Sequence, residues 1–165
     1  PIDYGIAPLD LNKIAALINA DMNTRLYYTS FRRNAFDTHV QQPNLHQRLL
    51  TYFSDAVSGF FSDMERIGRA DDVVMLVFSE FGRRVAENTN LGTDHGTANN
   101  MYLIGNSVKG GHYGDLPSLT ALTDGNMQHT TDFRQVYATA ISGWLGLESH
   151  EQVLRYRFKE FPVFS

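Results

Sequence analysis

A long amphipathic stretch and the apolar run that follows it limit what this chain can form. Across residues 45–67 the apolar side chains recur at helical spacing, and the pattern ends at Gly68. Residues 73–78 (VVMLVF) are continuously apolar, which is typical of a strand buried on both faces, as the strands of parallel sheets are. A helix followed directly by such a strand predicts an α/β fold.

Further segments extend this alternation of helical and strand patterns. We expect Asp10 to cap the first helix, and Thr130 or Thr131 to cap the last long one. The predicted elements are a helix at 9–22, a strand at 25–31, a loop at 82–100, a strand at 101–104, a loop at 109–117, a helix ending at Gly146, and a short helix with an extended end at 150–165. This order predicts a largely parallel sheet with helices on its faces and ligands bound beyond its strand ends.

Composition and charge limit the kinds of ligand and partner that this chain can bind. A chain of 165 residues with a net charge of -4 is long enough for one domain and has no basic cluster for nucleic acid. The absence of cysteine excludes thiolate ligands and disulfides. No apolar run approaches the roughly 20 residues that span a bilayer, so we expect no membrane span. Because the chain begins at Pro1 rather than Met, we expect it to belong to a longer polypeptide.

Two pairs of acid and histidine are the candidate metal ligands. Asp37 lies two residues before His39, Asp94 directly precedes His95, and Glu80 follows the predicted strand at 73–78. Carboxylate oxygens and neutral imidazoles are ligands that zinc, manganese and iron accept. The alternative is structural: acids cap turns and helices, and histidines make ordinary surface hydrogen bonds.

Five segments together resemble one bacterial family, which is called domain of unknown function 1501. The resemblance covers nearly the whole chain and keeps the order and spacing of the segments. They are AFDTHVQQ at 35–42, VFSEFGRRVAEN at 77–88, GTDHGTANNMYLIG at 92–105, VKGGHYGDLPSL at 108–119 and TTDFRQVYATAISGWLG at 130–146.

This family is similar to the alkaline phosphatase superfamily, which includes sulfatases. The resemblance implies a three-layer α/β/α sandwich, of which residues 1–165 would be the C-terminal part and therefore incomplete. It implies that Asp37 and His39 bind one metal ion. Glu80 keeps a carboxylate where the superfamily commonly has an Asp-His, whereas Phe81 cannot bind metal. Asp94 and His95 resemble either a later histidine region of the superfamily or that Asp-His pair in a displaced position.

The implied function is metal-dependent hydrolysis of phosphate or sulfate esters, on an anionic small molecule or polysaccharide. Arg83 or Arg84 would hold the anionic group with forked donors, and His112 would line the same cleft. The superfamily's nucleophile lies on an N-terminal segment that this chain does not contain, so the missing part of the same protein is an expected partner. The alternative is a noncatalytic relative that acts as a binding or structural module. The resemblance also implies export from the cytoplasm.

Overall fold

The computed structural model describes residues 2–31 and 34–164. By its contacts the chain divides into two compact units. The first comprises the residues up to Asp72 together with Glu87–Thr93, and the second comprises Val73–Ala86 and the residues from Asp94 onward. The chain therefore leaves the first unit, returns to it for one short segment, and leaves it again.

Two helices build the first unit. Helix α1 spans Leu11–Asn19 and helix α2 spans Gln42–Arg66, and a 3₁₀ turn follows at Ala70–Asp72. Their apolar faces pack on each other because the apolar residues of each helix fall on one side. The buried residues of this core are Tyr4, Leu11, Ala15, Ile18, Leu49, Ala56, Phe60 and Met64.

The predicted helix ends and caps agree with the structure for α2 but only in part for α1. The predicted helix at 45–67 is confirmed: Pro43 lies in the first turn of α2, and Gly68 follows its end with a left-handed φ of 69°. Asp10 stands at the start of α1, but its side chain makes no cap bond and instead pairs with Lys13 at 2.7 Å. Residues 25–31 form no strand, and Leu26 and Tyr28 there are exposed.

The second unit combines short pairs of antiparallel strands with two helices. Strand β1 (Met75–Val77) pairs with β4 (Tyr102–Ile104), β2 (Gly82–Arg83) with β3 (His95–Gly96), and β5 (Leu122–Thr123) with β6 (Asn126–Met127). All three pairs are antiparallel. Helix α3 spans Phe133–Gly143 and helix α4 spans Glu151–Leu154.

The predicted α/β/α sandwich with a largely parallel sheet is therefore wrong. Within the residues that the structure describes, the strands form only two-stranded antiparallel sheets. Two neighbouring parallel strands need a crossover, usually a helix. Residues 78–101, between β1 and β4, contain no helix and return the chain antiparallel, with Met75 opposite Ile104. The apolar run at 73–78 contains the strand β1, but residues 73–77 are half-buried and Phe78 is exposed, so the run is not buried on both faces.

The predicted short helix near the C-terminus is present as α4, and the tail that follows it packs against α3. Phe161 N donates to Thr139 Oγ1 at 2.9 Å, and Lys109 N donates to Val163 O at 2.7 Å. No helix of residues 2–31 and 34–164 is long and apolar enough to cross a membrane.

Candidate metal centre

Asp37 and His39 lie side by side in the segment that leads into α2. His39 Nε2 is 2.9 Å from Asp37 Oδ1, and each side chain is a little over one third exposed. The Asp37 and His39 side chains meet on one side of the segment, and the residue between them faces inward. Thr38 between them is buried. The sequence spacing therefore places the acid and the imidazole together on an accessible surface.

Thr38 is anchored by side chains of α2. Gln42 Nε2 donates to both the Thr38 carbonyl oxygen and Thr38 Oγ1, at 3.0 Å each. Thr38 Oγ1 also lies 3.3 Å from His46 Nδ1, and the His46 ring meets the Phe36 ring edge-on at 5.3 Å. His46 is half-buried and supports the inner side of this segment. Sequence reasoning missed Thr38 and Gln42, since nothing in their spacing sets them apart.

The short segment Glu87–Thr93, which we call the brace, lies against the backbone of this pair. Asn88 Nδ2 donates to His39 O at 3.1 Å. Gly92 is buried, and a Cβ atom there would lie 2.2 Å from His39 O. Thr93 Oγ1 donates to Gln42 Oε1 at 2.8 Å. The brace therefore fixes His39 and the first turn of α2 from a distant part of the chain.

In the second unit, His95 belongs to the β2–β3 hairpin. It is the cross-strand partner of Arg83, and its ring stacks on Phe81 with the centroids 3.7 Å apart and the planes 13° apart. The Arg83 guanidinium lies 5.1 Å from the centre of the same Phe81 ring. Phe81 thus binds no metal but holds two of the predicted site residues.

The remaining predicted site residues also belong to the second unit. Glu80 is exposed in the turn between β1 and β2. Arg84 is exposed, and its backbone N donates to Asp94 O at 3.0 Å. His112 is exposed in the loop after β4. In the first unit the structure brings Asp37 and His39 together, and in the second it pairs Arg83 with His95.

The clearest pKa shifts belong to residues outside the candidate metal site, Asp132 and Tyr4. The Arg134 side chain lowers the pKa of Asp132 to about 2, and Asp132 also caps α3 by accepting from Arg134 N. Burial raises the pKa of Tyr4, and the hydrogen bond to Asp63 at 2.8 Å adds to this effect. Asp132 caps α3, and Tyr4 binds Asp63 of α2, so both groups have a structural role.

The donor set fits a divalent metal ion. Asp37 and His39 each offer an atom that can bind one. Two ligands of a tetrahedral zinc ion with bonds of about 2.0–2.1 Å lie about 3.3 Å apart. The observed 2.9 Å is close to that separation, so the pair needs only a small side-chain movement. Because a carboxylate accepts, this hydrogen bond places a proton on His39 Nε2, and the imidazole must carry its proton on Nδ1 instead when Nε2 binds a metal.

The structure thus defines a protein of helices and antiparallel hairpins with an accessible aspartate and histidine pair. The chain belongs to the DUF1501 family, described as proteins of unknown function, because the family model matches residues 14–158. No curated protein and no solved structure matches the chain. The resemblance noted from the five sequence segments is confirmed at the level of this family.

Proposed function

We propose that this protein binds a divalent metal ion, zinc, manganese or iron, through Asp37 and His39. The observation that supports the proposal is the 2.9 Å separation of Asp37 Oδ1 and His39 Nε2 on an accessible surface, with a buried residue between them. A carboxylate and an imidazole are ligands that these ions share. The inner anchoring of Thr38 by Gln42 favours a preformed site, because a held ligand pair loses little freedom on binding.

The reaction we propose for this site is hydrolysis of a phosphate or sulfate ester. It rests on the likeness of Asp37 and His39 to the first metal pair of the alkaline phosphatase superfamily. The corrected fold leaves this likeness in place, because a metal site is made of local donor atoms and recurs on different folds. A bound ion would polarise the ester and stabilise negative charge on the leaving oxygen.

The substrate that we propose is an anionic small molecule or polysaccharide ester. Arg83 and Arg84 would hold the anionic group with their planar, forked donors. His112 is a further candidate contact. An exported location remains part of the proposal, since the family resemblance implies it.

One aspartate and one histidine do not fill the coordination of a metal ion, which takes at least four ligands in most protein sites. Glu80, Asp94 and His95 are the candidates that the sequence gives for further ligands. Water can supply the rest, as it does in catalytic sites that keep an open position.

A noncatalytic metal-binding module is the second candidate function. Phe81 favours it, because this residue occupies a position where the superfamily commonly has a ligand and its ring stacks on His95 instead. The two candidates share the metal ion and differ in turnover. An ester hydrolysis assay on the metal-loaded protein therefore separates them.

The test of metal binding is a zinc titration by calorimetry. Asp37→Asn keeps the oxygen that faces His39 but removes the charge, and His39→Gln removes the imidazole. The matched controls are Asp115→Asn and His129→Gln, an acid and a histidine that are exposed in the second unit. We expect about one zinc ion per wild-type chain, and at least about tenfold weaker binding in the two site variants. Equal binding by all five proteins would refute the proposal.

The test of turnover uses nitrophenyl phosphate and nitrophenyl sulfate with the zinc-, manganese- and iron-loaded protein. Hydrolysis that Asp37→Asn abolishes and that Arg83→Ala or Arg84→Ala weakens through KM would support the hydrolase. Metal binding without any hydrolysis would leave the noncatalytic module as the function. The candidates Glu80→Gln, Asp94→Asn and His95→Gln enter the zinc titration to find which of them lowers the affinity.

A further inference from the structure

The brace makes repeated contact with the residues that follow Asp37. Gln41 N donates to Asn90 O at 2.9 Å, and Gln42 N donates to Leu91 O at 3.0 Å. These bonds hold the chain where Gln41 adopts a left-handed φ of 44° before α2 begins. A non-glycine residue with a positive φ stays there only where its surroundings fix it. The brace is therefore part of what defines the backbone around His39.

The Asn88 side chain makes hydrogen bonds both within the brace and to the backbone of His39. Its Oδ1 accepts from Asn90 N at 2.9 Å and from Gly92 N at 3.1 Å, while its backbone N donates to Gly92 O at 2.8 Å. These bonds make a tight turn of the kind that asparagine favours. The other end of the same amide, Nδ2, donates to His39 O at 3.1 Å. The Asn88 amide oxygen thus stabilises the turn of the brace, and its amide nitrogen binds the His39 carbonyl oxygen.

From this geometry we propose that Asn88 is the positioning residue for His39 in the metal site. The inference rests on the proposed function, because it concerns the affinity of the same aspartate and histidine pair. Asn88 acts through the His39 backbone, because its Nδ2 donates to His39 O at 3.1 Å. Residues behind the ligands of a metal ion commonly change its affinity by about 10- to 100-fold.

The experiment compares Asn88→Asp with Asn90→Asp. Asn88→Asp keeps the oxygen that accepts from Asn90 N and Gly92 N, but places a second oxygen where Nδ2 donates to His39 O. Asn90→Asp makes the same charge change two residues away, on an exposed side chain of the brace. Asn88→Ser is the second variant, because serine can still accept within the turn but is too short to reach His39. The two readouts are the zinc affinity of the folded protein and the NMR signals of the His39 imidazole without metal.

We expect Asn88→Asp and Asn88→Ser to bind zinc at least about tenfold more weakly than Asn90→Asp, and to shift the His39 signals that report its hydrogen bond to Asp37. Lower thermal stability with unchanged zinc affinity and unchanged His39 signals would overturn the inference, since Asn88 would then have a structural role alone. If the wild type binds no metal, the proposed function fails. The His39 signals then decide the inference: a shift in the Asn88 variants alone supports it, and identical signals in all proteins overturn it.

Discussion

Gly92→Ala should damage the Asp37 and His39 pair without touching either side chain. An alanine Cβ at this position would lie 2.2 Å from His39 O and 2.5 Å from His39 C. To reach even a tight 3.0 Å contact with the oxygen, the two backbones must separate by about 0.8 Å. Moving packed backbone in this way costs about 1–3 kcal/mol of unfolding free energy. A movement of about 0.8 Å at the His39 backbone is a little over a quarter of the 2.9 Å between His39 Nε2 and Asp37 Oδ1, so we expect it to disturb their hydrogen bond.

The matched control is Gly110→Ala, because a Cβ atom there would meet nothing within 4 Å. We expect this control to change stability by no more than about 1 kcal/mol, with a small gain from the lower entropy of the unfolded chain. Urea denaturation measured by far-ultraviolet circular dichroism gives the free energies of unfolding. The zinc titration then compares the metal affinity of the folded variants, and we expect at least about a tenfold loss for Gly92→Ala alone.

Two results would refute this reasoning. Equal unfolding free energies for Gly92→Ala and Gly110→Ala would mean that the brace yields freely to an added methyl group. A destabilised Gly92→Ala that binds zinc as tightly as the wild type would mean that the brace does not control the position of His39.

Other predictions concern the helices and the tail. Asp132→Ala should destabilise the protein by about 1 kcal/mol at neutral pH through loss of the α3 cap, whereas Asp132→Asn keeps the cap oxygen and should lose less. Because the folded pKa of Asp132, about 2, lies below the unfolded value near 3.9, its ion-pair contribution is present above about pH 4 and is lost as pH falls toward about 2. The gap between wild type and Asp132→Asn, measured by denaturation across this range, should therefore close; a gap that stays constant would contradict the assignment. Tyr4→Phe should cost about 1 kcal/mol through loss of the bond to Asp63, and thermal unfolding of Tyr4→Phe beside the exposed control Tyr28→Phe checks it. His150→Ala should cost about 2–3 kcal/mol, because the buried ring accepts from Phe158 N and faces Glu160; fluorescence of Trp144, which stacks on Phe164 of the tail, follows the loss.

The helices were predictable because their signals are local. The amphipathic period after Pro43 and the left-handed glycine at Gly68 define α2 from the sequence alone. Helix α3 was also predicted, although its cap is Asp132 rather than Thr130 or Thr131. In each case the residues that decide the element lie within a few positions of it.

The sheet was not predictable in the same way, because a strand is defined by a partner. The apolar run at 73–78 indicated a strand but could not show that its partner, β4, runs antiparallel. One pairing did carry a local signal that was missed. Asp124 and Gly125, both with positive φ, make the turn between β5 and β6, and an aspartate followed by glycine is a strong sign of a hairpin.

In the candidate site, too, the residues with a local sequence signal differ from those that depend on distant contacts. Asp37 and His39 are two residues apart, and residue type together with the family resemblance was enough to name both as candidate metal ligands. Asn88 is 49 residues from His39 along the chain, and its role depends on a backbone contact that no sequence pattern reports. The sequence thus named candidate ligands, but it gave no sign of the residue that contacts the His39 backbone.

The most direct test of the metal proposal is the metal content of the purified protein. The protein is prepared without chelator, resupplied with zinc, manganese and iron, and measured by elemental analysis beside a variant that carries both Asp37→Ala and His39→Ala. The proposal predicts close to one ion per wild-type chain and its loss in the variant, which should keep the helical circular dichroism of the wild type. A wild type without metal, or a folded variant that keeps the ion, would contradict a metal site at Asp37 and His39.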